Sequence, residues 1–150
     1  MTISTLFERR AGNKIVNYTE FFRCASADIR LGTCAAVADT MASLEDQARY
    51  VAANLISAAS RTRTGYVEDA DFVKWRELSV RLGTPESLGR NLPFLRGASL
   101  TLSGRNLRTW TDYTGLDPES NEAGGSNFTQ GEFNTQPPVR TFSARVDLTF

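Results

Sequence analysis

The closing stretch of the chain alternates without a break. In residues 140–150 (RTFSARVDLTF), Phe142, Ala144, Val146, Leu148 and Phe150 fall on one face, and Thr141, Ser143, Arg145, Asp147 and Thr149 on the other. A period of two is the mark of a strand with one apolar and one polar face. The same period runs through residues 97–107 (GASLTLSGRNL), with Ala98, Leu100 and Leu102 opposed to Ser99, Thr101, Ser103 and Arg105. It recurs in residues 66–83, where Leu78, Val80 and Leu82 alternate with Ser79 and Arg81. Residues 2–9 and 14–22 predict two further strands, paired across a turn at 10–13 that contains Gly12-Asn13.

Two long segments break the pattern. Residues 23–65 are Ala-rich and predict one short helix: Ser43 is suited to the N-cap, Glu45 and Asp46 to the first turn, and Leu44, Ala48, Val51 and Leu55 recur at helical spacing. Residues 108–139 are polar and punctuated by Gly and Pro. Residues 84–96, with Pro85, Gly89 and Pro93, read as a shorter connection.

Composition narrows the chemistry. Lys+Arg and Asp+Glu are both 17, so no basic excess invites nucleic acid. There is no histidine, which excludes Ser-His-Asp and Cys-His nucleophile systems and histidine-ligated metals. No other nucleophile motif, metal-ligand set or cofactor motif is present, and an enzyme is not expected. Glu68, Asp69 and Asp71 form an acidic cluster, for which a solvated loop edge is a better reading than acid–base catalysis. No run of about 18 apolar residues occurs, so no helix spans a membrane.

Strands cross membranes differently. With no water in the bilayer core, every backbone N–H and C=O needs a partner, and a closed barrel supplies one. Eleven residues tilted at about 45° span roughly 25 Å, the height of an outer-membrane apolar band. Arg145 and Asp147 then belong to the lumen, because an Arg facing lipid at mid-depth costs roughly 2–4 kcal/mol. If Phe150 lies at the periplasmic end, residues 23–65 and 108–139 are extracellular loops, and 84–96 and 10–13 are periplasmic turns. Residues 1–10 carry no secretory signal, so a barrel reading expects one upstream. The competing reading is a soluble β-rich binding module with aromatic loops.

Several motifs occur in order: Glu68–Leu82 (EDADFVKWRELSVRL), Ser103–Leu107 (SGRNL), Trp110–Glu119 (WTDYTGLDPE), Pro137–Phe142 (PPVRTF) and the terminal Asp147–Phe150 (DLTF). This set resembles the C-terminal end of SusC/RagA-like TonB-dependent transporters, and Asn17–Cys24 (NYTEFFRC) resembles a subgroup with a cysteine-containing loop. The resemblance implies an all-β chain whose antiparallel strands form the C-terminal part of a transmembrane barrel of about 22 strands. The plug domain is absent from it. It further implies import of glycans, peptides or similar nutrients at the bacterial outer membrane. The implied partners are the rest of the barrel and plug, the TonB system, a SusD-like surface lipoprotein, the barrel-assembly machinery and outer-membrane lipid.

Candidate residues follow. Cys24 and Cys34 are a disulfide candidate, since an outer-membrane loop folds in an oxidising compartment; at this loop size a bridge contributes about 2–3 kcal/mol. Two unpaired small residues is the alternative. Phe142, Val146, Leu148 and Phe150 fit the terminal aromatic signal that barrel assembly reads in this class. Trp110 and Tyr113 suit either stacking on a substrate or an aromatic belt at the membrane interface. Asp117-Pro118-Glu119 is read as a turn that fixes a loop.

Overall fold

The computed structural model describes residues 1–25, 34–83, 95–122 and 130–149. In chain order the elements are β1 (Thr2–Arg10), β2 (Lys14–Asn17), α1 (Tyr18–Ala25), α2 (Ala35–Ala38) and α3 (Leu44–Tyr50), which continues as a π-helical turn over Val51–Leu55. There follow a 3-10 turn (Thr64–Tyr66), β3 (Val67–Asp69), β4 (Phe72–Gly83), β5 (Gly97–Thr111), β6 (Gly131–Glu132) and β7 (Thr141–Thr149). The chain divides into two compact units. One comprises Met1–Arg10, Phe72–Trp110 and Pro138–Phe150, and the other Ala11–Asp71 with Thr111–Pro137.

The first unit is a sheet in the order β1-β4-β5-β7. Its register keeps like with like. Ala98, Leu100, Leu102 and Gly104 of β5 stand opposite Leu148, Val146, Ala144 and Phe142 of β7, while Ser99, Thr101 and Ser103 meet Asp147, Arg145 and Ser143. Directly opposed residues share a face, so one side of this pair is apolar and the other polar. On the polar side Ser103 and Ser143 share a hydrogen bond of 2.8 Å, Arg105 reaches Glu77 of β4, and Arg81 donates to Ser99. These last two contacts run β4 antiparallel to β5 and carry Leu78, Val80 and Leu82 onto the apolar side.

Two irregularities hold the phase. In β4 the apolar positions Val73 and Trp75 are out of step with Leu78, Val80 and Leu82. A register shift between Leu6 and Phe7 leaves Arg76 as the extra residue and restores the step. Trp75 then stacks on Phe7 with ring centroids 5.5 Å apart, while Arg76 binds Glu8 at 2.7 Å on the polar side. In β5 Asn106 adopts φ 53°, and its side chain donates to the Val139 carbonyl. Asn tolerates this left-handed conformation better than other residues with a Cβ. The kink turns Leu107 onto the apolar side, where it closes over Gly104. A Cβ at position 104 would lie 2.9 Å from Leu107 Cδ2 and 3.1 Å from Phe142 Cε1.

The second unit holds a small sheet, β3-β2-β6, in which β2 is antiparallel to β3 and parallel to β6. Its core gathers Phe21, Cys24, Cys34, Ala53 and Tyr66 in one cluster and Ile15, Ala70 and Tyr113 in another.

Several expectations are corrected here. The strand expected over 14–22 stops at Asn17, whose side-chain oxygen accepts the Glu20 N–H at 2.9 Å and starts a helix. Phe21 and Cys24, three apart, are the buried face of that helix. The expected partner of β1 was the next strand, but β1 pairs with β4, Arg10 standing opposite Phe72. Residues 10–13 are therefore not a hairpin turn. They begin an excursion that returns at Phe72, and β1 runs opposite to the direction expected. Instead of one helix, residues 18–55 contain α1, α2 and α3 among the described residues. The stripe that signalled α3 faces outward, with Leu44 83% and Leu55 63% exposed. The strand expected over 66–83 is interrupted at Ala70 and Asp71, where the Asp71 carboxylate accepts the N–H groups of Gly12 and Asn13. The expected loop 108–139 is not wholly irregular, since β5 continues to Thr111 and Gly131–Glu132 forms a strand.

The left-handed turn in β5 yields a direct test. Asn106→Gly should leave stability nearly unchanged, whereas Asn106→Val, β-branched at positive φ, should lower it by about 1–3 kcal/mol. The urea midpoint of the folded protein in detergent reads the difference; equal midpoints would mean that the turn is not strained for ordinary residues.

Candidate functional site

β6 is only two residues long, yet it carries the most buried acid among the described residues of the second unit. Glu132 is fully buried. Its Oε1 accepts from the Thr19 hydroxyl at 2.8 Å and from the Thr135 N–H and hydroxyl at 3.4 Å, and its Oε2 accepts from the Tyr113 hydroxyl and the Leu116 N–H at 3.3 Å. A buried carboxylate is costly unless its oxygens are hydrogen-bonded. Here neutral donors from residues 19, 113–116 and 135 converge on it. Glu68 works alongside: it accepts from Asn17 at 3.1 Å and from the N–H and hydroxyl of Thr114 at 3.1 and 2.7 Å.

The Trp110–Glu119 motif thus serves this network. Tyr113 is only 6% exposed, its ring folded against Gly115, where a Cβ would lie 2.4 Å from the ring. Burial, reinforced by the carboxylates of Glu132 and Glu68, pushes its phenol well above the usual tyrosine range. Tyr113 is therefore a buried strut of the loops rather than a surface for a substrate to stack on. Asp117 is buried, and its Oδ1 accepts the Glu119 N–H at 2.9 Å within the Asp-Pro-Glu turn.

The structure joins Cys24 to Cys34 in a disulfide, with Cα atoms 5.2 Å apart. Around it Phe21 packs edge-on against Tyr66, with Arg63 4.5 Å over the Phe21 ring and Arg49 5.3 Å over Tyr66. Burial raises the Tyr66 phenol, with the Arg49 guanidinium opposing, and its hydroxyl has no partner among the described residues. Glu20, Cys24 and Cys34 place three potential metal-ligand atoms within 4.8 Å of one another, but both sulfurs are spent in the disulfide. The acidic cluster separates: Glu68 joins the loop network, Asp69 pairs with Lys14, and Asp71 caps the Gly12 turn.

The remaining candidates lie on the long sheet. Phe142, Val146 and Leu148 share its apolar face, at 76%, 64% and 52% exposure, while Phe150 lies outside the described residues. Trp110 sits at the end of β5. Because the Asn106 kink puts Leu107 on the apolar face, Arg108 and Trp110 fall on the polar one, and Arg108 lies 5.1 Å over the indole. Of the two expected aromatics, one is thus buried in the loops and the other stands on the polar face of the sheet.

No family model matches the chain. Over 96 residues it is 35% identical to TonB-dependent receptor P3 of Formosa agariphila, a match covering 60% of this chain and 9% of that receptor. The resemblance to the TonB-dependent transporters holds. The fold agrees with it: the RagAB peptide importer in its open-open state superposes over 99% of this chain and 15% of its own, with a TM-score of 0.64 at 20% identity. The RagAB peptide transporter does so over 99% and 16%, with a TM-score of 0.65 at 21% identity. The chain therefore spans a small part of each protein it matches, and is mostly antiparallel sheet with few short helices, matching a β-barrel-type fragment.

The two buried tyrosines give a pH prediction. Their phenols are raised in the folded state, so the folded chain holds these protons more tightly than the unfolded chain. That contribution to stability is fully present below the ordinary value near 10 and is lost as pH rises through the folded-state values. Replacing Tyr113 with Phe should remove phenolate absorbance that develops only well above pH 10 or on unfolding. An amplitude lost near pH 10 would contradict its burial against Glu132.

Proposed function

We propose that this chain is the C-terminal barrel segment of an outer-membrane TonB-dependent transporter that imports glycans, peptides or similar nutrients. The observation that carries the reading is the continuous apolar face of β4, β5 and β7, presented opposite a face of hydroxyls and ion pairs. A soluble module would cover such a face with a second layer; a bilayer needs no cover. The similarity to TonB-dependent receptor P3 and the fold shared with RagAB support the same assignment.

In that setting the unpaired edges of β1 and β7 continue into the rest of the barrel. The plug fills the lumen, and the TonB system supplies the energy. The two loop excursions form the extracellular face, where a SusD-like surface lipoprotein docks, and the Cys24–Cys34 bridge holds the longer one in shape. Phe142, Val146, Leu148 and Phe150 act as the signal that the barrel-assembly machinery reads.

The face assignment is testable one residue at a time. Val146→Arg in the membrane protein should cost roughly 2–4 kcal/mol and deplete folded protein from the outer membrane, whereas Ser143→Arg, on the other face, should be tolerated. Equal tolerance of both would remove the reason for placing this sheet in lipid.

A further inference from the structure

The apolar face of the long sheet is not uniform from end to end. Along β1 and β4 its register steps from Ile3 opposite Val80, to Thr5 opposite Leu78, to Phe7 opposite Trp75, and then to Arg9 opposite Val73. Aliphatic side chains give way to a stacked aromatic pair, whose indole N–H donates to the Thr5 hydroxyl at 2.8 Å, and the pair gives way to a guanidinium. The Arg9 side chain is exposed and has no hydrogen bond or ion pair among the described residues. Its chain neighbours differ: Glu8 and Arg10 bind each other on the polar face.

Further along, the same face is concave. Leu78, Leu102, Leu107, Phe142 and Ala144 line a groove of about 500 Å³, with Gly104 in its wall. Leu78 belongs to both features, because it also stands opposite Thr5. Arg9 is four residues on from Thr5 along β1, about 13 Å at the rise of a strand. The order of groove, ring pair and cation matches the depth profile of a bilayer leaflet: acyl chains, then the interface where aromatic rings settle, then the headgroups. A guanidinium at that last level, with no carboxylate to neutralise it, presents an N–H fork that suits two phosphate oxygens at once. From a phosphate held there, an acyl chain reaches the groove by running over Trp75.

We propose that this face binds one phospholipid with a net anionic headgroup at a defined site, the phosphate on Arg9 and an acyl chain in the groove beside Gly104. The inference rests on the transporter reading, in which this face meets lipid, and adds a particular lipid class and the residues that select it. Arg9 sets the preference for the anionic headgroup, and the groove sets the strength with which any lipid is held.

Native mass spectrometry of the intact membrane protein, titrated in neutral detergent with phosphatidylglycerol or with phosphatidylcholine of the same chains, reads both contributions. Folded wild-type protein should bind the first phosphatidylglycerol roughly fivefold or more tightly than the first phosphatidylcholine. Arg9→Gln should abolish that preference. Ala144→Phe, which fills the groove with another apolar side chain, should weaken both lipids severalfold and keep the preference. Arg145→Gln, which removes a cation from the other face, should change neither. No preference in folded wild-type protein overturns the proposal. So does a preference that survives Arg9→Gln, the result expected if Arg9 pairs with a carboxylate of an adjoining strand. Unchanged binding in Ala144→Phe, or displacement of the lipid by glycerol 3-phosphate alone, also overturns it, because a site for free phosphate needs no groove. These outcomes leave the lipid-face reading untouched, because that reading is decided by Val146→Arg.

Discussion

Side-chain phase is the constraint on which this sheet depends. A strand between two unlike solvents must send every second residue to the same side, and one residue out of step carries its whole apolar set to the wrong face. Across β5 and β7 the register satisfies this without correction. In β4 and further along β5 the residue order breaks phase, and the backbone absorbs the error. The extra residue Arg76 lets Trp75 and Leu78 share a face, and the left-handed turn at Asn106 brings Leu107 back beside Gly104 and Phe142. The polar side gains as much: Arg76 becomes free to reach Glu8, and Arg108 and Trp110 come to lie together.

The loop unit solves a different problem. Its two segments, 11–71 and 111–137, are distant in sequence and poor in large apolar residues at regular spacing. They are joined by carboxylates rather than by oil. Glu132 and Glu68 each accept hydrogen bonds from hydroxyls and N–H groups of both segments, which holds the two segments in one arrangement. The disulfide and the Phe21–Tyr66 contact hold the longer segment in the same way that Glu132 holds the shorter. Loops built like this keep their shape while leaving apolar residues such as Met41 and Leu44 at the surface, 86% and 83% exposed.

Where alternation is regular, the fold is legible in the sequence. Residues 140–150 and 97–107 display their faces because each side chain has one environment. Residues 14–22 misled because KIVN and YTEFF each look apolar and short, and only the Asn17 cap, visible once folded, separates strand from helix. The pairing of β1 with β4 could not be read locally at all, since an excursion from Ala11 to Asp71 lies between them and nothing in either strand names its neighbour. Glu132 was invisible for a similar reason. A glutamate between Gly131 and Phe133 in a polar stretch looks solvated, and its burial follows from pairing with β2 far upstream. Tyr113 and Trp110 sit three apart in one motif, yet one turns into the loop core and the other onto the sheet.

The central claim is that one face of this sheet meets lipid and the other meets water. Nitroxide labels placed singly at residues 141–148 of the intact protein, in membranes, test it most directly through their collision rates with oxygen and with a water-soluble nickel chelate. The account predicts a period of two with the reagents out of phase: oxygen highest at positions 142, 144, 146 and 148, the chelate highest at 141, 143, 145 and 147. Collision rates without alternation, or chelate access at 142 and 146 equal to that at 143 and 145, would contradict it.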